Sequence, residues 1–272
     1  MDHTPQTPLP ERTADDGPEP DRFSGPSRIA VVGRGRLGSA LCLALAASGT
    51  QVQGPLARLE RPADPVDAVL LCVPDAEIPA AADAVAGTAR FVGHTSGATP
   101  LEAVAPAGAI AFGLHPLQTF AGGEGPRRFR DAGCAVAGET GAALALASGL
   151  AEWLGMRPFP IADADRAAYH AAASIASNFL VTLQAAAEDA AAAAGLERAE
   201  ARGLLAPLVR ATVDNWAAQG PERALTGPAA RGDEATVQRQ RQALEERAPH
   251  LLELFDALAE HTRSVAGLRA LL

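Results

Sequence analysis

The sequence of 272 residues predicts an α/β domain built on a doubly wound parallel sheet, followed by an all-α domain. Short apolar runs alternate with helical segments through the first half of the chain, as is typical of strands that are buried on both faces. After about Asp163 no strand pattern remains. The predicted organisation is a tail over residues 1–27, a sheet domain over residues 28–162 and a helical domain over residues 163–272.

The elements of the sheet domain follow one another in a regular order. Strands are predicted at 28–32, 50–53, 67–73, 90–93, 109–114, 134–137 and 157–160, and helices at 37–48, 78–86, 99–105 and 141–154. Prolines at 55, 62 and 65 interrupt the segment after the second strand, so no full helix is expected there. The helical domain is predicted to contain helices near 163–194, 198–218 and 236–272, with Pro249 as a candidate break in the last one.

Composition excludes several classes of protein. The tail is rich in Pro, Asp, Glu and Thr with almost no aliphatic residues, so it is predicted to be disordered. A formal charge of −9 argues against general nucleic-acid binding, and no apolar run reaches the roughly 20 residues that span a bilayer. Cys42, Cys72 and Cys134 are too widely spaced to suggest a disulfide framework or a zinc site. We expect a cytoplasmic protein without a metal, a nucleic-acid partner or a membrane.

Three glycines between the first strand and the first helix form the pattern G-x-G-x-x-G. Gly33 allows a tight turn, Gly35 lets the backbone approach a pyrophosphate, and Gly38 lets the helix pack closely on the strand. The pattern predicts a Rossmann-type dinucleotide site at the positive end of the helix, and a bare structural turn is the alternative. The other predicted cofactor contacts are Arg34, Arg36, Leu37, Arg58, Val73 and Pro74.

The arginines in this list predict which nucleotide binds. Sites that prefer NAD place an acidic residue at the end of the second strand, yet residues 51–58 contain no carboxylate. Arg34 and Arg36 lie inside the glycine turn, and Arg58 lies just beyond the second strand. Because guanidinium groups suit a 2′-phosphate, NADP(H) is the predicted cofactor. NAD(H) is the alternative, in which these arginines are only solvated surface charges.

Candidate substrate contacts follow two successive strands of the predicted sheet. His94, Ser96 and Gly97 come after one strand, and His115 comes after the next. Ligands of open α/β sheets bind outside the carboxyl ends of the strands. A lone histidine is more often a core or surface residue, but two histidines at such positions beside a nucleotide turn indicate a site.

Two further groups of polar residues lie in the helical domain. His170, Ser174 and Asn178 are four residues apart in a stretch that is otherwise nearly all Ala and aliphatic, so they are predicted to share one helix face. Thr226 and Arg231 lie in a loop between helices, where Arg231 suits a substrate carboxylate. The alternatives are a solvent-exposed helix face and an ordinary turn.

These motifs together resemble a known family. The residues that carry the resemblance are the glycine turn, His94-Thr95-Ser96-Gly97, His115-Pro116-Leu117-Gln118-Thr119-Phe120, Tyr169-His170, Ser177-Asn178 and Leu225-Thr226-Gly227-Pro228-x-x-Arg231-Gly232-Asp233. They are similar to a bacterial family of Rossmann-like proteins with a C-terminal domain of unknown function. More distantly, the layout is similar to ketopantoate reductase, pyrroline-5-carboxylate reductase and the β-hydroxyacid dehydrogenases.

The distant resemblance implies an NADPH-dependent reductase of a small carboxylated ketone or imine, with ketopantoate as the leading substrate. Alignment by helix position puts His170 where the hydroxyacid dehydrogenases and ketopantoate reductase have a proton-donating lysine, with Ser174 and Asn178 at asparagine positions. It also implies that the loop of Ser96 and Gly97 contacts a carboxylate and that the loop of Thr226 shapes the pocket.

His170 departs from the pattern of those relatives, which puts the substrate in doubt. A histidine can still donate the proton, because its pKa lies near neutral pH. The departure also motivates an alternative function, a non-catalytic NADP(H)-binding sensor or partner protein. Because the relatives often dimerise through their helical domains, the alanine-rich segment 185–194 is predicted to contribute to a homodimer.

Overall fold

The computed structural model of this protein describes residues 26–123 and 125–267. Nearly all of the tail predicted to be disordered therefore lies outside the described residues. The chain divides into two compact units between Ala173 and Ser174. This division falls later than the domain boundary predicted at residues 162 and 163, and it leaves the first turns of the following helix with the sheet unit.

Seven strands of the described residues form one sheet in the order β2-β1-β3-β4-β5-β6-β7. The strands are β1 (Arg28–Val32), β2 (Gln51–Leu56), β3 (Val66–Leu71), β4 (Ala89–His94), β5 (Ile110–Pro116), β6 (Gly133–Gly138) and β7 (Arg157–Pro160). Each predicted strand is present within a few residues of its expected bounds. No helix lies between β2 and β3, as the prolines of that segment predict.

Helices cover both faces of the sheet. They are α1 (Arg36–Ala47), α2 (Ile78–Ala84) and α3 (Gly141–Trp153), with a 3₁₀ segment at Leu101–Ala107 in place of the predicted short helix. Side chains of β1 alternate between two apolar cores. Ile29 and Val31 pack with α1 and α3, whereas Ala30 and Val32 pack with α2 and the 3₁₀ segment. All four are completely buried, which explains the continuous apolar run in the sequence.

Two strands, β6 and β7, depart from the wholly parallel sheet that the sequence predicts. The first five strands in sheet order are parallel, but β6 runs antiparallel to β5. A parallel neighbour needs a crossover connection, usually a helix. The described part of the connection from β5 to β6 contains only a short 3₁₀ turn at Pro126–Phe129, so the chain reverses direction. The β7 strand is again parallel to β6, because α3 provides the crossover.

The remaining elements are helices. They are α4 (Arg166–Ala176), α5 (Asn178–Ala193), α6 (Arg198–Gln219), α7 (Pro221–Ala224), α8 (Pro228–Arg231), α9 (Glu234–Arg247) and α10 (Leu252–Val265). The single helix predicted over 163–194 is wrong, because a turn at Ser177, whose torsion angles are φ −117° and ψ −68°, separates α4 from α5. The last predicted helix is divided into α9 and α10 at Pro249, which disfavours helical torsion angles in the preceding Ala248.

Ion pairs connect neighbouring helices within the helical unit. Arg202 of α6 forms two hydrogen bonds with the carboxylate of Glu188 on α5, and Arg263 of α10 does the same with Glu234 on α9. Asp233 caps α9 by accepting a hydrogen bond from the backbone of Thr236, as its position before the helix predicts. Among the described helices, none is long and apolar enough to cross a membrane.

Candidate functional site

The glycine turn that follows β1 is built from backbone contacts that exclude larger residues. Gly33 has a φ of +119°, and a Cβ on it would lie 2.1 Å from the carbonyl oxygen of Cys72. A Cβ on Gly38 would lie 2.1 Å from the carbonyl oxygen of Gly33. Both positions therefore require glycine for close packing, as the sequence predicts. A Cβ on Gly35 would instead meet no atom within 4 Å, so open space lies over the middle glycine.

The helix that begins at this open space provides unpaired backbone donors. Gly35 is the N-cap of α1 and has no side chain to accept a hydrogen bond from the first turn. The first turn also contains no acidic residue. The positive end of the helix dipole is thus not neutralised by the first turn itself, and such an end favours an anion.

Two of the three predicted arginines beside the turn are already paired with carboxylates. The Nη2 atom of Arg34 lies 2.9 Å from a carboxylate oxygen of Glu60, and its Nε donates to the carbonyl oxygen of Pro55. Arg58 pairs with Glu77 at 2.9 Å. Arg36 is exposed, and the aliphatic part of its side chain lies near Gly122.

Glu60 corrects the expectation that no carboxylate reaches the end of the second strand. The backbone N–H of Ala57, the residue after β2, donates to Glu60 at 2.7 Å, so the loop folds back on the strand end. Gly33 also contacts the end of β2, since its N–H donates to the carbonyl oxygen of Leu56. Glu60 lies just beyond the segment in which the carboxylate was sought, and only the turn after β2 brings it back.

The carboxyl end of β4 carries a histidine that is fully buried. Nδ1 of His94 accepts a hydrogen bond from the backbone N–H of Ser96, and no hydrogen bond to its Nε2 is formed among the described residues. Burial lowers the pKa of His94 to about 4, with the nearby Arg166 guanidinium acting in the same direction, so the ring is neutral at pH 7. Because His94 has no exposed surface, its predicted contact with a substrate stays a prediction.

Ser96 structures the loop after β4. Its hydroxyl lies 2.8 Å from the carboxylate of Asp75 and 2.9 Å from the hydroxyl of Thr99. It also accepts hydrogen bonds from the backbone N–H groups of Ala98 and Thr99. A hydroxyl with these partners has little capacity left for a substrate carboxylate. The predicted role of Ser96 in binding that group is untested and would require some of these bonds to exchange.

The neighbouring strand places His115 at the centre of a cluster of rings. Nδ1 of His115 lies 2.6 Å from the hydroxyl of Tyr169, and the ring of His170 stands edge-on to it at 6.2 Å between centroids. Gly97 makes room for the His115 ring, since a Cβ there would lie 2.8 Å from Cε1. The structure thus brings together Gly97, His115 and His170, which the sequence places far apart.

The protonation states in this cluster follow from burial. Burial lowers the pKa of His115 to about 4, with repulsion from the neighbouring His170 and Arg166 acting in the same direction. Burial raises the pKa of Tyr169 to about 12. At neutral pH both groups are therefore uncharged, and the phenol keeps a proton that it can donate to the imidazole.

Arg166 is a buried cation that sequence reasoning missed. Its side chain is only 3% exposed, its Nε pairs with Asp163, and its Nη1 donates to the carbonyl oxygen of Ser96 at 3.4 Å. Within the described part of the chain, Nη2 of Arg166 has no hydrogen-bond partner. Asp163 also accepts a hydrogen bond from the backbone N–H of Leu101. An arginine beside two aspartates looks like a solvated charge run in the sequence, which gave no signal of its burial.

The other predicted site residues lie along the helices and at the end of β3. Ser174 follows His170 by one turn on α4, whereas Asn178 begins α5 after the break at Ser177. Thr226 precedes α8 and Arg231 ends it, and both are exposed. Val73 and Pro74 follow β3. The roles of these residues stay predictions. No group of three or more His, Cys, Asp or Glu side chains in the described residues could hold a metal ion.

The fold and the glycine turn define a Rossmann-like protein with a C-terminal helical region. Residues 132–262 match the model of a family described as "Domain of unknown function (DUF2520)". This match covers just under half of the chain, from the last strands of the sheet to α10. The protein is thus Rossmann-like and carries a C-terminal domain of unknown function, as its motifs predict.

Solved structures share the whole architecture. A Thermotoga maritima protein is 27% identical with a TM-score of 0.70, and the match covers 88% of this chain and 98% of that one. A protein assigned as an NADP oxidoreductase from Bacteroides fragilis is 20% identical with a TM-score of 0.71 and the same coverage. A pyrroline-5-carboxylate reductase from Streptococcus pyogenes is 14% identical with a TM-score of 0.57, covering 87% and 98%. No curated protein matches the sequence.

Proposed function

We propose that this protein is an NADP(H)-dependent oxidoreductase that reduces a small carboxylated ketone or imine. The observation that carries the proposal is the open space over Gly35, between two glycines that are packed against backbone. A turn that served only the fold would need Gly33 and Gly38 and would leave the middle position free to vary. An open glycine at an uncapped helix N-terminus fits a pyrophosphate.

The similar structures support the choice of chemistry. One relative in fold is assigned as an NADP oxidoreductase, and another is a reductase of pyrroline-5-carboxylate, which is a cyclic imine with a carboxylate. The second of these favours an imine over ketopantoate. The arginines around the glycine turn, Arg34, Arg36 and Arg58, support NADP(H) over NAD(H) because they can pair with a 2′-phosphate.

Side chains of this protein would orient the substrate and donate the proton. NADPH, when bound, supplies a hydride to the carbonyl or imine carbon. We assign the proton donor to His170, because the neighbouring His115 is neutral at pH 7 and cannot donate as an imidazolium. Ser174 and Asn178 are proposed to orient the substrate, and Arg231 to bind its carboxylate.

A binding experiment tests the cofactor assignment. Calorimetry with NADPH and NADH on the full chain should give micromolar binding of NADPH, and Gly35→Ala should weaken it at least tenfold. Because an added Cβ meets no protein atom, the variant should keep the melting temperature of the wild type. Gly203→Ala is a matched control, since Gly203 lies on α6 with no atom near its Cβ position. Wild-type protein that binds neither nucleotide would refute the proposal.

A second candidate is a sensor that binds NADP(H) without catalysis. The histidine at the position of the relatives' lysine motivates it. This candidate predicts the same nucleotide binding, no oxidation of NADPH with any keto acid or cyclic imine, and a partner protein that binds in a nucleotide-dependent way. Turnover with one such substrate would exclude it.

We also propose that the protein is a homodimer through its helical unit. Leu204, Leu208 and Trp216 recur at multiples of four residues along α6 and are 61%, 64% and 56% exposed. An apolar stripe of this kind on a soluble helix is typical of an interface. The stripe supports a dimer interface that includes α6 as well as the alanine-rich segment of α5.

A further inference from the structure

The pairing of Arg34 with Glu60 bears on how the proposed site would distinguish NADPH from NADH. Arg34 is one of the two arginines of the glycine turn, and Glu60 is the carboxylate that folds back to the end of β2. In dinucleotide-binding sheets, a carboxylate at the end of the second strand binds the ribose 2′-hydroxyl of NAD, whereas an arginine there accommodates the 2′-phosphate of NADP. Both kinds of group are present here, and they are bonded to each other.

The contacts show that each group is positioned by the backbone as well as by its partner. Nε of Arg34 donates to the carbonyl oxygen of Pro55, and Nη2 donates to Glu60 at 2.9 Å. The same carboxylate oxygen of Glu60 accepts from the N–H of Ala57 at 2.7 Å. Glu60 is thus held at the strand end independently of Arg34, and its charge would stay there if the arginine turned to another anion.

The pair is exposed enough to exchange partners. The side chains of Arg34 and Glu60 are 64% and 45% exposed, and exposed ion pairs contribute little to stability. A 2′-phosphate carries more negative charge than a carboxylate, so it can displace Glu60 from the guanidinium. It would then lie next to the carboxylate that it displaced, and the two anions would repel each other.

We propose that Glu60 is a selectivity-determining residue that opposes NADPH by competing with its 2′-phosphate for Arg34. The inference rests on the proposed nucleotide site and refines it. In this arrangement Arg34 favours NADPH, Glu60 favours NADH, and the preference of the protein is the difference between the two. The preference for NADPH is therefore weaker than the arginines in the sequence alone would predict.

Substituting Glu60→Gln tests this competition. Glutamine has the same shape, can still accept from Ala57 and removes only the charge. The ratio of the dissociation constants, NADH over NADPH, measured by calorimetry on the full chain, should rise roughly tenfold. Arg34→Gln should lower the same ratio. In the double variant Arg34→Gln/Glu60→Gln, the effect of removing Glu60 should shrink, because the competition acts through the arginine.

A control variant isolates the position of the charge. Glu245→Gln changes the net charge equally, and Glu245 is an exposed partner of Arg241 in the helical unit. It should leave both dissociation constants unchanged. If both nucleotides bind but Glu60→Gln leaves their ratio within twofold of the wild type, or lowers it, the competition is disproved while the nucleotide site stands. If neither nucleotide binds to any variant, the proposed function itself fails, and this inference fails with it.

Discussion

The hydroxyl of Tyr169 lies 2.6 Å from Nδ1 of His115, and it links the helix α4 to the carboxyl end of β5. Because the imidazole is neutral and the phenol keeps its proton, the phenol is expected to donate. A proton donated to Nδ1 selects the tautomer that carries its own hydrogen on Nε2. The orientation of His115, beside His170, thus depends on a residue that the sequence did not single out as part of the site.

Tyr169→Phe removes this hydrogen bond and keeps the ring. Turnover should fall roughly fivefold, as expected for one lost hydrogen bond of about 1 kcal/mol, while the dissociation constant of NADPH stays the same. Nitrogen NMR of His115 should show a mixture of tautomers in place of a single one. Phe159→Leu is the control, since Phe159 stands edge-on to the ring of Tyr169 and has no group that could hydrogen-bond to its hydroxyl. Unchanged turnover and an unchanged tautomer in Tyr169→Phe would contradict this role.

His170→Ala should abolish catalysis without affecting the cofactor. Loss of a general acid lowers turnover about 100-fold or more, because the proton must then come from water. The assay is the absorbance of NADPH with a panel of keto acids and cyclic imines, and calorimetry with NADPH shows that the nucleotide site is intact. Ser174→Ala, one turn further along α4, should reduce turnover less. Wild-type turnover in His170→Ala would remove this residue from the mechanism.

The stability of the fold should fall as the pH drops below 6.5. The pKa of His94 is lowered by burial to about 4, so the unfolded chain binds a proton between pH 6.5 and 4 that the folded chain does not. Stability is therefore full above pH 6.5 and decreases until about pH 4. The shift corresponds to about 3 kcal/mol for this residue.

The measurement is the free energy of unfolding in urea at several pH values between 7.5 and 4.5. His94→Asn is the informative variant, because its side-chain oxygen can accept from Ser96 while it does not titrate. The pH dependence should be weaker in this variant. An equal slope in both proteins would assign the loss of stability to other groups, among them His115.

Light scattering should give a mass of twice the 27.8 kDa of one chain. Leu208→Glu places a charge in the exposed stripe of α6 and should produce a monomer with an unchanged fold. Leu43→Glu is the matched control, since Leu43 is a similarly exposed leucine on α1. A monomer mass for the wild type would rule out the dimer. A dimer mass for Leu208→Glu would show that the interface does not include this stripe of α6.

Much of the fold follows from local features of the sequence. Apolar runs predict the central strands such as β1 and β3, because strands buried on both faces must be almost continuously apolar, and the glycine pattern predicts the turn between β1 and α1. The break at Ser177 and the reversal of β6 were not predicted. No proline or glycine marks Ser177, and strand direction depends on the path of the connection, which apolar periodicity does not report.

The sequence by itself determined the type and order of the elements, the glycine turn and the strand ends at which His94 and His115 lie, because each depends on neighbouring residues. Only the tertiary structure decided which distant residues meet. It buries Arg166, which donates to the carbonyl oxygen of Ser96. It also forms the hydrogen bonds between Tyr169 and His115 and between Arg34 and Glu60. These contacts join residues from 26 to 70 positions apart, so they depend on the packing of whole elements, which no local pattern encodes.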